Sequence, residues 1–595
     1  MQFATYFIIV LGCTGIPVFR NKLALIVAPA LITTVLFFFA ICQHLAIGIV
    51  AIKSVGLTMT TYTLYSAFRS KEVRSALFEV GFALILVFSL SYFAAKGMNY
   101  FAWDEFSHWG AQVEYLLKFG ELHRDGDILI FPEYIPGLSL WRYFARTILI
   151  GFGPAAEYFS GWVIVFSCIY VAVDKLPKWR SIAAGLAFYL LFVTLFQALA
   201  LTLYVDPVQA ALLVCGLIIA KRYQNSALNL IPIVALLILS KHVGVIFCLF
   251  IFIYWSARQC FVYEKRFSES VRTLTISILF VVICYLAWNS YVSFHYISKD
   301  IIDVGKIYNL SAGEAPNFLY DIFSGLLHNK FPHAFWTRGS FSGSPPLIDL
   351  WVVLIASLVS SFILILCAEN SWNDRKVDLY FVSAFVLFYV LFLTFIRATT
   401  PWAADQFSFT RYLSVVLFAV VGLSFPALFE NGSQWKLIVI ISVLAVVSFF
   451  YAPTPKDVFG RKLAPLSDSN ELFTQKARTL LSQVTTHERV WYIHDEKNPR
   501  DYFVFRMKAI PARIVNPEIG QNVYLNTMGA GWPEKADRIA LFASRMCSVD
   551  ILFIDAVADY FWEDYAELFD KPKAGHIFRV RKGIADRCTA SLVAD

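Results

Sequence analysis

The sequence predicts a polytopic α-helical membrane protein that ends in a small α/β domain, and three observations carry that expectation. Of its 595 residues, 58% are hydrophobic and 16% charged, against about 45–50% apolar and 25% charged in ordinary globular chains; the mean hydropathy is +0.62. Apolar runs of spanning length recur as far as about residue 452. Beyond it no such run follows, and short helical and strand-like patterns alternate. The chain thus divides into a membrane part, residues 1–452, and a soluble part, residues 453–595.

The apolar runs fall near 4–19, 23–42, 45–67, 76–95, 157–173, 181–200, 206–220, 229–240, 243–257, 271–291, 348–367, 379–396, 411–429 and 435–452, roughly fourteen spans. No small-residue cleavage site follows the first, which is expected to be retained. The two runs flanking Lys241 and His242 are short, and read either as two spans or as one broken helix with a polar elbow. Arg20 and Lys22, Arg69 to Arg74, Lys175 to Arg180, Lys221 and Arg222, Arg258 to Arg266, and Arg375 and Lys376 fall in connections that parity puts on one side. By the excess of basic residues that side is cytoplasmic. These loops also account for the net charge of +7 without a nucleic-acid partner.

The opposite side receives Tyr100 to Tyr134, the turn Tyr204 to Pro207, the loop His295 to Leu347, the turn Arg397 to Thr410 and everything after Ala452. In the first of these, "AWDEFSHWG" puts Asp104 beside Glu105 and His108 where the chain leaves the bilayer. Gln112, Glu114 and Lys118 continue it as an amphipathic interfacial helix, and Arg142 and Arg146 mark a second one over 137–150. The prolines of "FPEYIPG" break the chain between them.

Two carboxylates here have a plain reading and three chemical ones. They cap and charge a helix N-terminus, worth about 0.3–1 kcal/mol. As a Glu-x-x-His di-iron site they lack the required second copy. Asp104, Glu105 and His108 are candidate ligands for a divalent cation such as Mg or Mn, although no dedicated binding loop supports one. Or one carboxylate deprotonates an acceptor hydroxyl while its neighbour orients it.

"WDEFSHWG" resembles the Asp-Glu loop motif of protein O-mannosyltransferases and lipid A aminoarabinose transferases, members of the GT-C superfamily of integral-membrane glycosyltransferases. "LYVDPVQA" is similar to a second acidic site of that superfamily, at Asp206. "LSKHVG" resembles its Lys-x-x-Gly element, and "SFTRYL" its Arg-Tyr at the start of a late helix. The pattern covers roughly residues 76–452. His108 and Trp109 depart from the mannosyltransferase motif, so acceptor and metal dependence do not carry over. The resemblance implies a GT-C-like fold and transfer of a sugar from a polyprenyl-phosphate carrier on the non-cytoplasmic face, with Asp104 as base and Glu105 as its acidic partner. The acceptor would be a glycan, lipid or protein, and the location a bacterial inner membrane.

Such a donor has a lipid tail and an anionic phosphate at headgroup level, so its site must be basic and open to the membrane. Lys241, His242, Arg397, Arg411 and Tyr412 are the candidates for that phosphate. Snorkelling competes for Lys241 and Arg397, helix-end hydrogen bonding for His242, and capping before Pro207 for Asp206. The loop 295–347, with "HNKFPHAFWTRGSFSGSPP", reads as a lid over an anionic or sugar ligand or as a solvated tether. A linker over 452–471 leads to helices near 471–483, 500–508, 534–546 and 558–569, interleaved with strands "RVWYIH", "ARIVN", "DILFID" and "HIFRVR". No glycine-rich loop follows these strands, which speaks against nucleotide binding and leaves a structural or acceptor-binding role. Of ten cysteines, Cys547 and Cys588 alone fall in this part, and a disulfide is expected between them.

A lipid-linked glycan polymerase or ligase needs the same pocket with a longer groove. A transporter or flippase is the non-enzyme alternative, but it usually shows related halves, and no internal repeat is present. The topology is tested by labelling: a cysteine introduced near Ser344 should react with a membrane-impermeant reagent from outside, and one near Asn373 should not. The reverse pattern would put the acidic loop in the cytoplasm.

Overall fold

The computed structural model describes residues 4–14, 23–102, 104–123, 129, 132–222, 227–263, 267–295, 330–331, 348–367, 371–399, 406–431, 438, 441–447, 468–485, 487–493, 499–514, 535–555, 561–562, 565–570, 576–582 and 588–593. They belong to two compact units. One comprises Met1–Met98, Tyr134–Tyr291 and Ser298–Lys462, the other Asn99–Glu133, Val292–Ile297 and Leu463–Asp595. Sequence analysis places Asn99–Glu133 in the membrane part, whereas the structure groups this loop with the C-terminal residues.

In chain order the helices begin with α1 (Ala4–Thr14), α2 (Ala24–Ile41), α3 (Leu45–Arg69) and α4 (Lys71–Ala95). Next come α5 (Gly110–Phe119, in the second unit), α6 (Gly137–Ile148), α7 (Ala155–Val173), α8 (Lys178–Phe196) and α9 (Val205–Arg222). They continue with α10 (Ile231–Ser240), α11 (Gly244–Phe261), α12 (Phe267–Phe294), α13 (Leu350–Cys367), α14 (Trp372–Thr399) and α15 (Gln406–Asn431). Among the described residues nine helices are long and apolar enough to cross a membrane, and Thr5–Thr14, Ala227–Ser240 and Trp351–Leu366 are shorter apolar helices. The run at 435–452 lies largely outside the described residues. In the loop 295–347, Lys330–Phe331 (β1) pairs with Ile348–Asp349 (β2), and nearly all the rest also lies outside them.

Burial separates two kinds of apolar helix. Leu57, Phe68, Phe78 and Phe82 on α3 and α4 are exposed, as on a face turned to lipid. By contrast α9 is buried from Val205 to Ala220, the mark of a helix enclosed by other helices. Helices α7, α10, α11 and α15 pack around it. The expected interfacial helix α6 is also buried over most of its length. Arg142 donates to the Leu203 carbonyl at 2.5 Å, and Arg146 pairs with the buried Glu157 at 2.7 Å. Both arginines therefore have partners within the helical unit.

Helix α9 also sets the polarity of the bundle. Asp206 in its first turn and Lys221 in its last are about 22 Å apart at 1.5 Å per residue. Around Lys221, Asp378 of α14 accepts from Lys221 (2.5 Å), from Tyr254 (2.6 Å) and from Arg258 (3.1 Å) of α11. Arg258 also pairs with Asp374. Next to Lys221 in sequence, Arg222 lies 3.4 Å from both Asp174 and Glu430, and Arg180 donates to the Phe429 carbonyl at 3.0 Å. Basic residues that the sequence puts on one side thus meet at one end of the bundle, while Asp206 belongs to the other.

The second unit is built on a sheet. It contains α16 (Asp468–Gln483), β3 (Arg489–Ile493), α17 (Pro499–Lys508), β4 (Arg513–Ile514), α18 (Lys535–Met546), β5 (Ile551–Ile554), β6 (His576–Lys582) and β7 (Cys588–Leu592). The strand order is β4-β3-β5-β6-β7, with β3 parallel to β4 and β5 and the last two strands antiparallel. Alternation gives the sheet two faces. Trp491, Leu552 and Phe578 pack with Phe542 and Met546 of α18, and Tyr492 and Phe553 stack with Phe505 of α17. Strand β7 has no counterpart among the expected elements. The helix expected near 558–569 is described only at Phe561–Trp562 and from Tyr565, which leads into a short 3-10 turn at Ala566–Leu568. Cys547, just after α18, is disulfide-bonded to Cys588 at the start of β7.

Asp378 is 1% exposed and serves two cations. Asp378→Ala leaves both without it, and the expected cost is about 3–5 kcal/mol. Thermal unfolding in detergent should show a clear fall in midpoint, and an unchanged midpoint would mean that the network adds nothing to stability.

Candidate functional site

The sequence-singled residues fall into two constellations, one in each unit. In the helical unit the first builder is the elbow between α10 and α11. Helix α10 ends at Ser240, Lys241 is extended (φ −169°, ψ 154°), and α11 restarts at Gly244. The two helices fold back on each other, with Gly244 against Leu237 and Cys248 against Val234, so of the two expected readings this is the pair of separate helices and not one interrupted helix. Gly244 makes it feasible, because a Cβ there would come within 1.9 Å of the Leu237 carbonyl oxygen. Gly137 similarly brings the start of α6 against Leu239, where a Cβ would lie 2.3 Å from the carbonyl oxygen. The elbow turns the Lys241 ammonium toward the first turn of α9, and Gln209 ties the two together by donating to Ser240 at 2.8 Å.

There Lys241 Nζ lies 3.4 Å from Asp206 Oδ1 and donates to the Tyr412 hydroxyl at 3.0 Å. Arg411, near the start of α15, places Nε 3.2 Å from Asp206 Oδ2 as an ion pair without hydrogen-bond alignment, and donates to Tyr412 at 3.1 Å. Aromatic faces enclose both cations. Lys241 stands over the rings of Tyr412 (4.6 Å) and Tyr134 (5.7 Å), and Arg411 over those of Tyr204 (4.8 Å) and Tyr412 (5.0 Å). Asp206, Lys241 and Arg411 are all buried, so each depends on the others to offset the loss of water.

Sequence reasoning missed two members of this surround. The Tyr389 hydroxyl of α14 is fully buried and has no hydrogen-bond partner among the described residues, and its ring stacks on Phe247 in the first turn of α11, just past the elbow (centroids 5.7 Å apart). The Gln209 amide oxygen is likewise buried and unpaired. An unsatisfied buried polar group costs about 1–3 kcal/mol. Tyr389 gives no sequence signal, since "LFYVLF" reads as plain apolar helix; Gln209 stands one turn after Asp206 and was legible. Of the other phosphate candidates, His242 faces the Tyr285 ring (centroids 6.3 Å apart). The Arg397 side chain lies outside the described residues.

The second constellation is the acidic loop. Glu105–Trp109 forms a π turn, a form that recurs at functional sites. Gly110 closes it by donating to the Glu105 carbonyl, and a Cβ at Gly110 would meet that oxygen at 2.6 Å and the Tyr100 ring at 2.7 Å. The two carboxylates part company here. Glu105 is fully buried, and its Oε2 accepts from the backbone N–H groups of Phe101 (2.5 Å) and Ala102 (2.7 Å). The capping reading therefore describes Glu105. Asp104 makes no side-chain cap, is 14% exposed, and lies 3.9 Å from His108 Nε2. His108 Nδ1 is 2.7 Å from Ser107 Oγ. Helix α17 packs on this turn within the same unit.

Glu105 Oε2 is taken by backbone, and among the described residues no group of three or more His, Cys, Asp or Glu side chains is placed to hold a metal ion, whereas Mg and related ions gather six oxygens.

Comparisons with known proteins place the chain only loosely. No family model matches it, and no curated protein does. Among solved structures it is similar to ArnT from Cupriavidus metallidurans in the apo state, at 12% identity and a TM-score of 0.44, over 87% of this chain and 98% of that one. It is also similar to the same protein bound to undecaprenyl phosphate, at 13% identity and a TM-score of 0.41, over 73% and 89% of the two chains.

The loop carrying Asp104 also holds a buried histidine. Burial pushes the His123 ring down to about 4 from its ordinary 6.5; His295 acts the same way, against the hydrogen bond to the Pro132 carbonyl (2.7 Å). Between pH 6.5 and 4 the unfolded loop binds a proton that the folded loop does not, so stability falls as pH drops through that window. Hydrogen exchange around Leu122 and His123 should accelerate from pH 7 to pH 5 beyond the intrinsic pH effect, and His123→Gln should lose that excess. An equal excess in the variant would contradict the assignment.

Proposed function

We propose that this chain is a membrane glycosyltransferase of GT-C type that moves a sugar from a polyprenyl-phosphate carrier to an acceptor hydroxyl. The face concerned is the non-cytoplasmic face of a bacterial inner membrane, in the service of cell-envelope glycan or glycolipid modification. One observation carries the reading: Lys241, Arg411 and Tyr412 converge at one end of an enclosed helix. Such a set of donors suits a phosphate at headgroup depth.

In this reading each constellation is given a role of its own. The Asp104 carboxylate takes the proton of the acceptor hydroxyl, and the resulting oxygen bonds to the anomeric carbon. The bond from that carbon to the phosphate oxygen breaks, and its electron pair leaves with the phosphate. Lys241, Arg411 and the Tyr412 hydroxyl stabilise the growing charge. Glu105 holds the π turn that presents Asp104, and His108 sits beside it as a neighbour for the acceptor. No step is assigned to a metal ion.

Asp104→Asn keeps the shape of the side chain and removes the proton acceptor. Sugar transfer in proteoliposomes at saturating donor should fall by about 10²–10⁴-fold, with folding and donor binding intact. Transfer at the wild-type rate would reduce Asp104 to a structural residue. Lipid or sugar translocation without transfer would favour a flippase or transporter.

A further inference from the structure

The cation pair is not left open in this structure. Asp206 lies in the first turn of α9 with one oxygen 3.4 Å from Lys241 and the other 3.2 Å from Arg411, the two-oxygen bridge that a phosphate would make. The carboxylate is 1% exposed, so it cannot swing into water without another group taking its place. Just past the elbow that carries Lys241, the ring of Tyr389 stacks on Phe247 (5.7 Å), and its buried hydroxyl has no hydrogen-bond partner among the described residues.

Resting on the reading of this cluster as a phosphate site, we propose that Asp206 is a built-in surrogate for the carrier phosphate. It neutralises Lys241 and Arg411 in the unliganded protein and gives them up when phosphate binds, while Tyr389 adds a hydrogen bond to the incoming anion.

Two physical arguments support this assignment. Two buried cations without an anion would destabilise the empty bundle, because each has lost its water with nothing in return. A carboxylate supplied by the chain removes that cost, but it competes with the ligand. By linkage, whatever Asp206 contributes to the unliganded state it subtracts from affinity. Tyr389 shows the opposite balance: its hydroxyl gives the empty state nothing and is satisfied only by something that arrives. A purely structural ion pair explains Asp206 but leaves the Tyr389 hydroxyl with no purpose.

The test uses the purified full chain in nanodiscs, with a polyprenyl monophosphate as probe and the matching uncharged polyprenol as control, read by thermal shift and by direct binding. In wild type the phosphate should stabilise and the alcohol should not. Tyr389→Phe should melt no lower than wild type without ligand and bind the phosphate about tenfold more weakly, the loss expected for one hydrogen bond to a charged group. Asp206→Asn should melt lower without ligand and bind about tenfold or more tightly. If Asp206→Asn does not fold, Lys241→Gln is compared with the double variant Asp206→Asn/Lys241→Gln, which should bind more tightly by a similar factor. Phosphate binding in wild type with no loss in Tyr389→Phe, or with no gain on removing the Asp206 charge, overturns the inference and leaves the phosphate site standing. No phosphate-specific binding in wild type or in any variant overturns both.

Discussion

The site depends on one constraint: a charge enclosed by a membrane-spanning bundle must be met by another charge. Asp206, Lys241 and Arg411 satisfy it together, and each arrives from a different element. Asp206 sits in the first turn of α9, Lys241 on the elbow after α10, and Arg411 near the start of α15. The requirement that they meet fixes the break between α10 and α11 and makes Gly244 obligatory at the restart. It also brings the first turn of α9 to the second turn of α15. The Asp378 network plays the same part at the far end of α9. One helix thus carries paired charge at both ends and apolar surface between.

The two carboxylates that first draw the eye do different work because their surroundings differ. Glu105 is enclosed and serves the backbone of the residues just before it. Asp104, one position earlier, stays partly open and caps nothing. The π turn separates them, and Gly110 permits the turn. Adjacent acids thus meet different surroundings, and substitution of either tests a different claim.

Much of this was legible in the sequence. Apolar runs gave the helical class, basic loops foreshadowed the gathering of Arg180, Lys221, Arg222 and Arg258 at one end of the bundle, and the strand-helix alternation after residue 470 gave the α/β unit. Asp206, Lys241, Arg411 and Tyr412 were each visible as polar residues at the edges of apolar runs. Their meeting was not, because it depends on the packing of helices distant in sequence. Tyr389 was invisible for the same reason: an aromatic within an apolar helix carries no mark of what its hydroxyl faces. Conversely His242 stands next to Lys241 in sequence, but the elbow turns it toward Tyr285. The burial of Arg142 and Arg146 also escaped detection, since their spacing fits an interfacial helix as well as one with internal partners. Strand β7 was missed because "CTASL" is short, and its place is set by pairing with β6.

The central claim is that Lys241 and Arg411 receive the phosphate of a lipid carrier. The most direct measurement is an experimental structure of the full chain in nanodiscs with a polyprenyl-phosphate analogue bound. The account predicts phosphate oxygens within hydrogen-bonding distance of Lys241 Nζ, the Arg411 guanidinium and the Tyr389 hydroxyl, with the Asp206 carboxylate withdrawn from both cations. Phosphate density elsewhere, with Asp206 still bridging Lys241 and Arg411, would contradict it.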